Sequence, residues 1–273
     1  MDRPCAPALR TEESGLRTDS WTDFTREIRT RTGLDLAAYK ADQMQRRLRW
    51  LMLRSNVERY ADYIGLLDSS PDKLRELRDY VTINVSEFFR SPDQWERLRH
   101  DILPALLAKR GRLRVWSAGC SYGAETYSLA VLLEELSPDA GHYILGTDVD
   151  DTVLARAREA VFTEQDVRNV PASMLGRWFD ADGAGKVRLS ADLRNRVAVK
   201  RHDLLSDPYE THFDLILCRN VLMYFTGEAK ARVFSWLYHA LRPGGFLFVG
   251  SAEALAAPVD VGFTHARLAF YRK

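Results

Sequence analysis

Hydrophobic residues recur at two different periods along the chain, and the change of period divides it. From Trp21 to about Tyr80 the apolar spacing is three or four residues. Trp21, Phe24 and Ile28 form one stripe, and Met44, Leu48, Leu51 and Met52 a second. Tyr60, Tyr63, Ile64 and Leu67 form a third, closed by Ser69-Ser70-Pro71, and Leu74, Leu77 and Val81 form a fourth. Short amphipathic helices in this order predict a small antiparallel bundle. Residues 1–18 are polar and aperiodic, which predicts a mobile arm ahead of the bundle.

After about Arg90 strands and helices alternate. Leu113–Ala118, His142–Thr147, Val197–His202, Phe213–Cys218, Phe246–Ser251 and Arg267–Tyr271 read as strands. Trp95–Lys109, Ala124–Leu136, Asp151–Ala160 and Gly227–Leu241 read as helices, the last closed by Arg242-Pro243-Gly244-Gly245. Such alternation predicts an α/β fold, a mostly parallel sheet with helices on both faces. Residues 169–196 break the rhythm around the turn signal Asp182-Gly183-Ala184-Gly185, and read as an inserted small antiparallel β subdomain. The expected division is a helical domain over 19–83 and an α/β domain over 84–273.

Composition narrows the classes. Of 273 residues, 46% are hydrophobic, which excludes a disordered chain. Lys and Arg total 39 against 38 Asp and Glu, so a general nucleic-acid binder, which needs a basic excess, is not expected. No apolar stretch approaches the roughly 20 residues that span a bilayer, so no direct membrane insertion is expected. Cys5, Cys120 and Cys218 are far apart, which fits free thiols in a reducing cytoplasm. The histidines are scattered and predict no metal site.

Four stretches carry chemistry. In Leu113-Arg-Val-Trp-Ser-Ala-Gly119-Cys-Ser-Tyr-Gly123-Ala-Glu125 a strand enters a glycine turn and then a helix, so a ligand can approach the backbone. Glu125 in the first helical turn is unfriendly to phosphate and suits a cationic group; a plain βα turn is the competing reading. In Ile144-Leu-Gly-Thr-Asp148-Val-Asp150, Asp148 ends a strand and can accept from a ribose diol, while Asp150 is the better helix cap. An adenosylmethionine ligand explains both acids, with the ribose at Asp148 and the ammonium at Glu125. At Cys218-Arg219-Asn220, an apolar strand empties into polar residues, and the charge there needs a partner. Thr82-Ile-Asn84-Val-Ser86-Glu-Phe88-Phe89-Arg90 is too aromatic for a plain linker, and a packed hinge is the competing reading for its phenylalanines.

On Asn84-x-Ser86-x-Phe88-Phe89-Arg90, Gly123-x-Glu125-x-Tyr127-Ser128, Asp148-x-Asp150 and Cys218-Arg219-Asn220-Val221, in that order, the chain resembles the chemotaxis-receptor glutamate methyltransferase (CheR) family. The resemblance runs from about Trp21 to the end. It implies a small all-helical domain followed by a Rossmann-like S-adenosylmethionine-dependent methyltransferase sheet with an antiparallel subdomain. It implies methyl transfer from S-adenosylmethionine to glutamate side chains of a chemoreceptor helix, leaving S-adenosylhomocysteine. Asn84, Ser86 and Arg90 would border the cofactor, with Gly119 in the glycine turn. Glu125 would hold the methionine amino group, Asp148 the ribose and Asp203-Leu204 the adenine. Arg219-Asn220 would meet the methionine end, and Arg90 and Tyr224 would face the transfer site.

The chain departs from the family in three places. Gly-Glu-Glu-Pro-Tyr-Ser becomes Gly123-Ala124-Glu125-Thr126-Tyr127-Ser128, Asp203 stands where Asn is common, and Gly-His-Ser-Glu becomes Gly250-Ser251-Ala252-Glu253. These departures bear on substrate more than on cofactor. Two alternatives therefore stand beside the glutamate reading: a methyltransferase for another substrate, and a cofactor-binding regulatory module without turnover. Lys40, Arg47 and Arg54 repeat every seven residues with Arg46 and Arg49 beside them, which reads either as a solvated face or as a docking face for an acidic helix. Nothing demands an oligomer, and a monomer is expected.

Overall fold

The computed structural model describes residues 20–253 and 261–273. The arm read over 1–18 and Cys5 lie outside them. The chain forms two compact units, one of residues up to Ala37 with Ala41–Leu77, the other of Ala38–Lys40 with Arg78–Lys273.

The first unit is helical. α1 (Trp21–Thr32), α2 (Ala41–Arg54), α3 (Tyr60–Ser69) and the start of α4 (Pro71–Val81) bury most of the expected stripes, with Trp21, Tyr60 and Leu74 half-buried. Ser20 caps α1 by accepting from the Asp23 N–H, and Gly33 ends it in the left-handed region. Phe24 stacks on Tyr60 at 4.6 Å, and Arg31 reaches Asp68 at 2.6 Å, so α1 and α3 are joined by both packing and charge. By packing, the division between the two units falls inside α4, after Leu77.

The second unit is built on a seven-stranded sheet. Its strands are β1 (Arg114–Ala118), β2 (Tyr143–Asp148), β6 (Val197–Arg201), β7 (Phe213–Cys218), β8 (Leu241–Val249), β9 (Thr264–Arg267) and β10 (Phe270–Arg272). The order is β6-β2-β1-β7-β8-β10-β9; the first five strands are parallel, and β10 is antiparallel to both of its neighbours, β8 and β9. The alternation of side chains along each strand sorts the core into two layers. Val115, Ile144, Leu215, Leu217 and Phe248 join one cluster with α6 (Leu103–Arg110) and α7 (Ala124–Leu136). Trp116, Leu145, Ile216, Cys218, Leu247 and Val249 join the other with α12 (Gly227–Ala240). The chain leaves β1 in one direction across the sheet and returns to β7 on its other side. Open α/β sheets form their cleft at that reversal. No helix among the described residues is long and apolar enough to cross a membrane.

A second sheet is antiparallel, ordered β3-β5-β4 from β3 (Val161–Thr163), β4 (Phe179–Ala181) and β5 (Lys186–Leu189). Its first strand follows α8 (Asp151–Glu159), so the subdomain starts before the expected residue 169. Three short helices, α9 (Glu164–Val167), α10 (Ala172–Trp178) and α11 (Ala191–Asn195), complete it.

Three expectations change in detail. The helix read over Trp95–Lys109 is α5 (Pro92–Arg97), a π turn at Leu98–Ile102 and then α6. Pro104 lacks the N–H that would continue the α ladder, and the wider turn precedes it. Arg242-Pro243-Gly244-Gly245 lies within β8, because the Gly244 N–H donates to the Lys273 carbonyl at 2.9 Å and Lys273 donates back to Gly245 at 3.1 Å. The last strand is a hairpin, turned at Leu268-Ala269 with Ala269 at φ 67°.

The phenylalanines of the 82–90 segment are core residues of the second unit. Phe88 is fully buried and meets Phe162 edge-on at 4.8 Å and Phe179 at 5.2 Å. Phe88→Ala is expected to destabilise the fold by about 3–5 kcal/mol through loss of burial and an unfilled cavity. A urea midpoint within error of the unaltered chain would contradict this packing.

Candidate active site

The carboxyl ends of β1, β2 and β7 and the 82–90 segment surround one open cleft. Asn84, Ser86, Arg90, Gly119, Glu125, Asp148, Asp203, Leu204, Arg219, Asn220 and Tyr224 all line it. The cleft is partly open to solvent and mixes apolar and polar lining, as sites for small ligands and cofactors do.

The glycine turn forms its base. Gly119 sits at φ 79°, and a Cβ there would collide with Cγ2 of Val221, so only glycine lets β1 and the loop after β7 approach this closely. Gly123, at φ 92°, caps α7 and places Glu125 in its first turn. Ser117 donates to Glu125 Oε1 at 2.8 Å, and Arg219 Nη1 lies 3.3 Å from Oε2. The Arg219 side chain is 2% exposed and that of Glu125 13%. The other guanidinium nitrogen, Nη2, donates to the Arg90 carbonyl at 2.8 Å and to Gln94 Oε1 at 3.0 Å. Gln94 donates in turn to Ser251 Oγ at 2.8 Å. Aromatic faces of Phe248 and Trp95 lie 4.4 and 5.7 Å from the guanidinium carbon. The charge at the end of β7 thus has its partner, Glu125.

Asp148 is held by backbone. The Ser121 N–H donates to Oδ2 at 2.8 Å and the Asp150 N–H to Oδ1 at 3.1 Å. Each oxygen keeps a lone pair for a further donor. Asp150 caps α8 through the Thr152 N–H, and also accepts from Thr82 at 2.8 Å and Asn84 at 2.7 Å. It therefore pins the start of the 82–90 segment. Tyr122 pins the middle, sharing its hydroxyl between the Ser86 carbonyl and Asp166. The Phe89 N–H on Ser128 Oγ, at 3.0 Å, pins the end. Arg90 Nη1 lies 3.3 Å from the Val85 carbonyl, and the Tyr224 carbonyl accepts from the Lys40 N–H at 2.9 Å.

The departures from the family pattern have local structural roles. Ala124 is fully buried in the core. The Asp203 carboxylate accepts from the Leu205 N–H at 2.8 Å and from Ser206 Oγ at 3.1 Å, so it braces its own turn. Glu253 is fully buried and accepts from the N–H groups of Asn220, Met223 and Gly250 at 2.5, 3.1 and 2.9 Å. That grip holds Asn220 at φ 61°, uncommon for a residue with a side chain. Gln94, Tyr122 and His202 belong to this region without any spacing signal in the sequence.

Three buried polar atoms of the lining have no hydrogen-bond partner among the described residues: Ser121 Oγ, His202 Nε2 and Arg219 Nε. Unpaired groups of this kind carry a desolvation cost that a polar ligand removes. Donors and acceptors around a glycine turn, with an acid at the end of β2, fit an adenosyl amino acid.

Family comparison agrees. The model of the CheR methyltransferase all-alpha domain matches residues 19–82, and that of the CheR methyltransferase SAM-binding domain matches 84–269. The chain belongs to the CheR methyltransferase family. A chemotaxis protein methyltransferase of Listeria monocytogenes is 38% identical over 252 residues, covering 92% of this chain and 95% of that one. Chemotaxis protein methyltransferase 1 of Pseudomonas aeruginosa is 33% identical over 235 residues, covering 82% and 85%. As a CheR-family chain it is an S-adenosylmethionine-dependent methyltransferase.

Burial pushes the carboxyls of both Glu125 and Asp148 upward; Arg219 and Ser117 offset this at Glu125, and backbone N–H groups offset it at Asp148. A ligand that needs them ionised must pull these values down, so its affinity rises with pH until they are ionised in the free protein. Adenosylhomocysteine is expected to bind more weakly as the pH falls through those raised values, by up to about tenfold per pH unit for one proton taken up. The loss begins above the ordinary carboxylate range, near 4. A dissociation constant flat from neutrality down to that range, measured by calorimetry, would contradict it.

Proposed function

We infer that the chain methylates glutamate side chains of a methyl-accepting chemoreceptor, forming a glutamate methyl ester and S-adenosylhomocysteine. The observation that carries the reading is the opposed pair Glu125 and Arg219 at the base of the cleft. A methionine end is zwitterionic, and two buried opposite charges 3.3 Å apart match it. Glu125 takes the ammonium, and Arg219 with Asn220 meets the carboxylate end. Asp148 takes the ribose hydroxyls, and Asp203-Leu204 border the adenine. Asn84, Ser86 and Gly119 bound the cleft by backbone and side chain.

A substrate carboxylate is already ionised at neutral pH, so no general base is required. Adenosylmethionine held by Glu125, Asp148 and Arg219 would supply a methyl group on a cationic sulfur, which a carboxylate oxygen could take with the bonding pair left on sulfur and no proton moved. The protein's task is alignment and exclusion of water. Arg90 and Tyr224 orient the attacking carboxylate by hydrogen bonds, positioning it without full neutralisation. The partner presents an acidic helix to the basic residues Lys40, Arg46, Arg47, Arg49 and Arg54. The enzyme works as a monomer and in the cytoplasm, and the free thiols of Cys120 and Cys218 support the second of these.

Labelled adenosylmethionine with a chemoreceptor cytoplasmic fragment tests the reading, because a glutamate methyl ester gives base-labile counts on the protein. Arg90→Ala is expected to lower kcat by about 10- to 100-fold at saturating cofactor, the scale of a misplaced substrate. Base-stable counts, or an unchanged kcat, would sink the glutamate reading and the role of Arg90 respectively.

A further inference from the structure

Arg219 is short of acceptors. Nη2 donates to the Arg90 carbonyl at 2.8 Å and to Gln94 Oε1 at 3.0 Å, and Nη1 meets Glu125 at 3.3 Å. Nε has no partner among the described residues, and Glu125 is the one carboxylate among them that ion-pairs with the guanidinium. Further off, Glu253 and Arg90 act on it in opposite senses.

A second carboxylate would be the strongest acceptor to add, because a charge-assisted hydrogen bond is about twice as strong as a neutral one. The position facing Nη2 is nevertheless an amide. Gln94 is 7% exposed and lies near the start of α5. A glutamate has the same length and is favoured near a helix start, so neither size nor backbone selects the amide. Its orientation is fixed at both ends. Arg219 has only donors to offer, so Gln94 turns its oxygen that way. The amide nitrogen then donates to Ser251 Oγ at 2.8 Å. Ser251 is one of the positions at which the chain departs from Gly-His-Ser-Glu.

Glu125 and Arg219 balance each other, and a zwitterion meets them without net repulsion. A carboxylate at position 94 would leave the base of the cleft one charge more negative. That favours an ammonium and opposes a carboxylate.

We propose that Gln94 is a positioning residue for the cofactor's amino-acid end: a neutral acceptor, held at its far end by Ser251, that fixes the Arg219 guanidinium without neutralising it further, so that its charge stays available to the ligand carboxylate. The inference rests on the reading that Arg219 meets that carboxylate. It goes further by naming the residue that sets how much charge the carboxylate meets.

The test is calorimetry on the full chain with two ligands, adenosylhomocysteine and its decarboxylated counterpart, which keeps the ammonium. Gln94→Glu is expected to weaken adenosylhomocysteine by about tenfold, while the decarboxylated ligand weakens by less than about twofold or binds more tightly. Gln94→Met removes the hydrogen bond without adding charge, and keeps the preference between the two ligands within about threefold of the unaltered chain. Ser251→Asp puts a carboxylate at the far end of the amide. It is expected to weaken adenosylhomocysteine alone, by about threefold, and at an exposed site it leaves the melting temperature nearly unchanged. It decides the matter if Gln94→Glu does not fold. Equal losses for both ligands in the acidic variants, no loss in either, or a preference that Gln94→Met abolishes as fully as Gln94→Glu, overturns the proposal. Those outcomes leave the Arg219 reading intact if the unaltered chain prefers adenosylhomocysteine. An unaltered chain that binds both ligands equally does not read the carboxylate, and the Arg219 reading falls with the proposal.

Discussion

A buried arginine sets the terms for the cleft. Arg219 leaves the end of β7 with its side chain almost wholly removed from water. Taking an ion out of water costs several kcal/mol unless charge and hydrogen bonds replace the solvent. Glu125 supplies the charge, Gln94 and the Arg90 carbonyl supply acceptors, and the faces of Phe248 and Trp95 cover the flanks. Satisfying one guanidinium therefore draws the first turn of α7, the start of α5 and the end of the 82–90 segment to one point. Glu125 depends on Arg219 equally, since without it a buried carboxylate would stand beside a single serine hydroxyl. Glu253 fixes the loop that follows, and Asp150 and Tyr122 fix the segment opposite.

The parts of this arrangement legible in the sequence are those that local rules dictate. Strand period, the glycine turn and the acid at the end of β2 follow from backbone sterics and sheet topology, and they located the base of the cleft. The Phe88-Phe89 pair was ambiguous, because an aromatic hinge and an aromatic core anchor have the same local pattern. Its resolution depends on Phe162 and Phe179, which lie far away in the chain. Gln94 has no local signal at all. It is an ordinary helix residue until Arg219 and Ser251 stand on either side of it. Arg242-Pro243-Gly244-Gly245 misled for the same reason, since its turn chemistry was overridden by pairing with Lys273. On α2 the seven-residue repeat identified a basic helix, but partner geometry outside the helix, Glu76 for Arg54, decides which cations remain available.

The near balance of charge over the whole chain conceals two opposed surfaces of different purpose. Acids are buried at the cleft, where burial raises their proton affinity and makes a cationic ligand favourable. Cations are exposed on one helix of the other unit, where solvent screens them.

If the Glu125–Arg219 pair reads the amino-acid end of the cofactor, Glu125→Gln must separate two ligands in calorimetry. Adenosylhomocysteine carries the amino acid; 5′-methylthioadenosine keeps the adenine, ribose and sulfur without it. The substitution is expected to weaken adenosylhomocysteine by about tenfold or more, about 1.4 kcal/mol or more, while methylthioadenosine changes by less than about twofold. Equal losses for both ligands, or no loss for either, would contradict it.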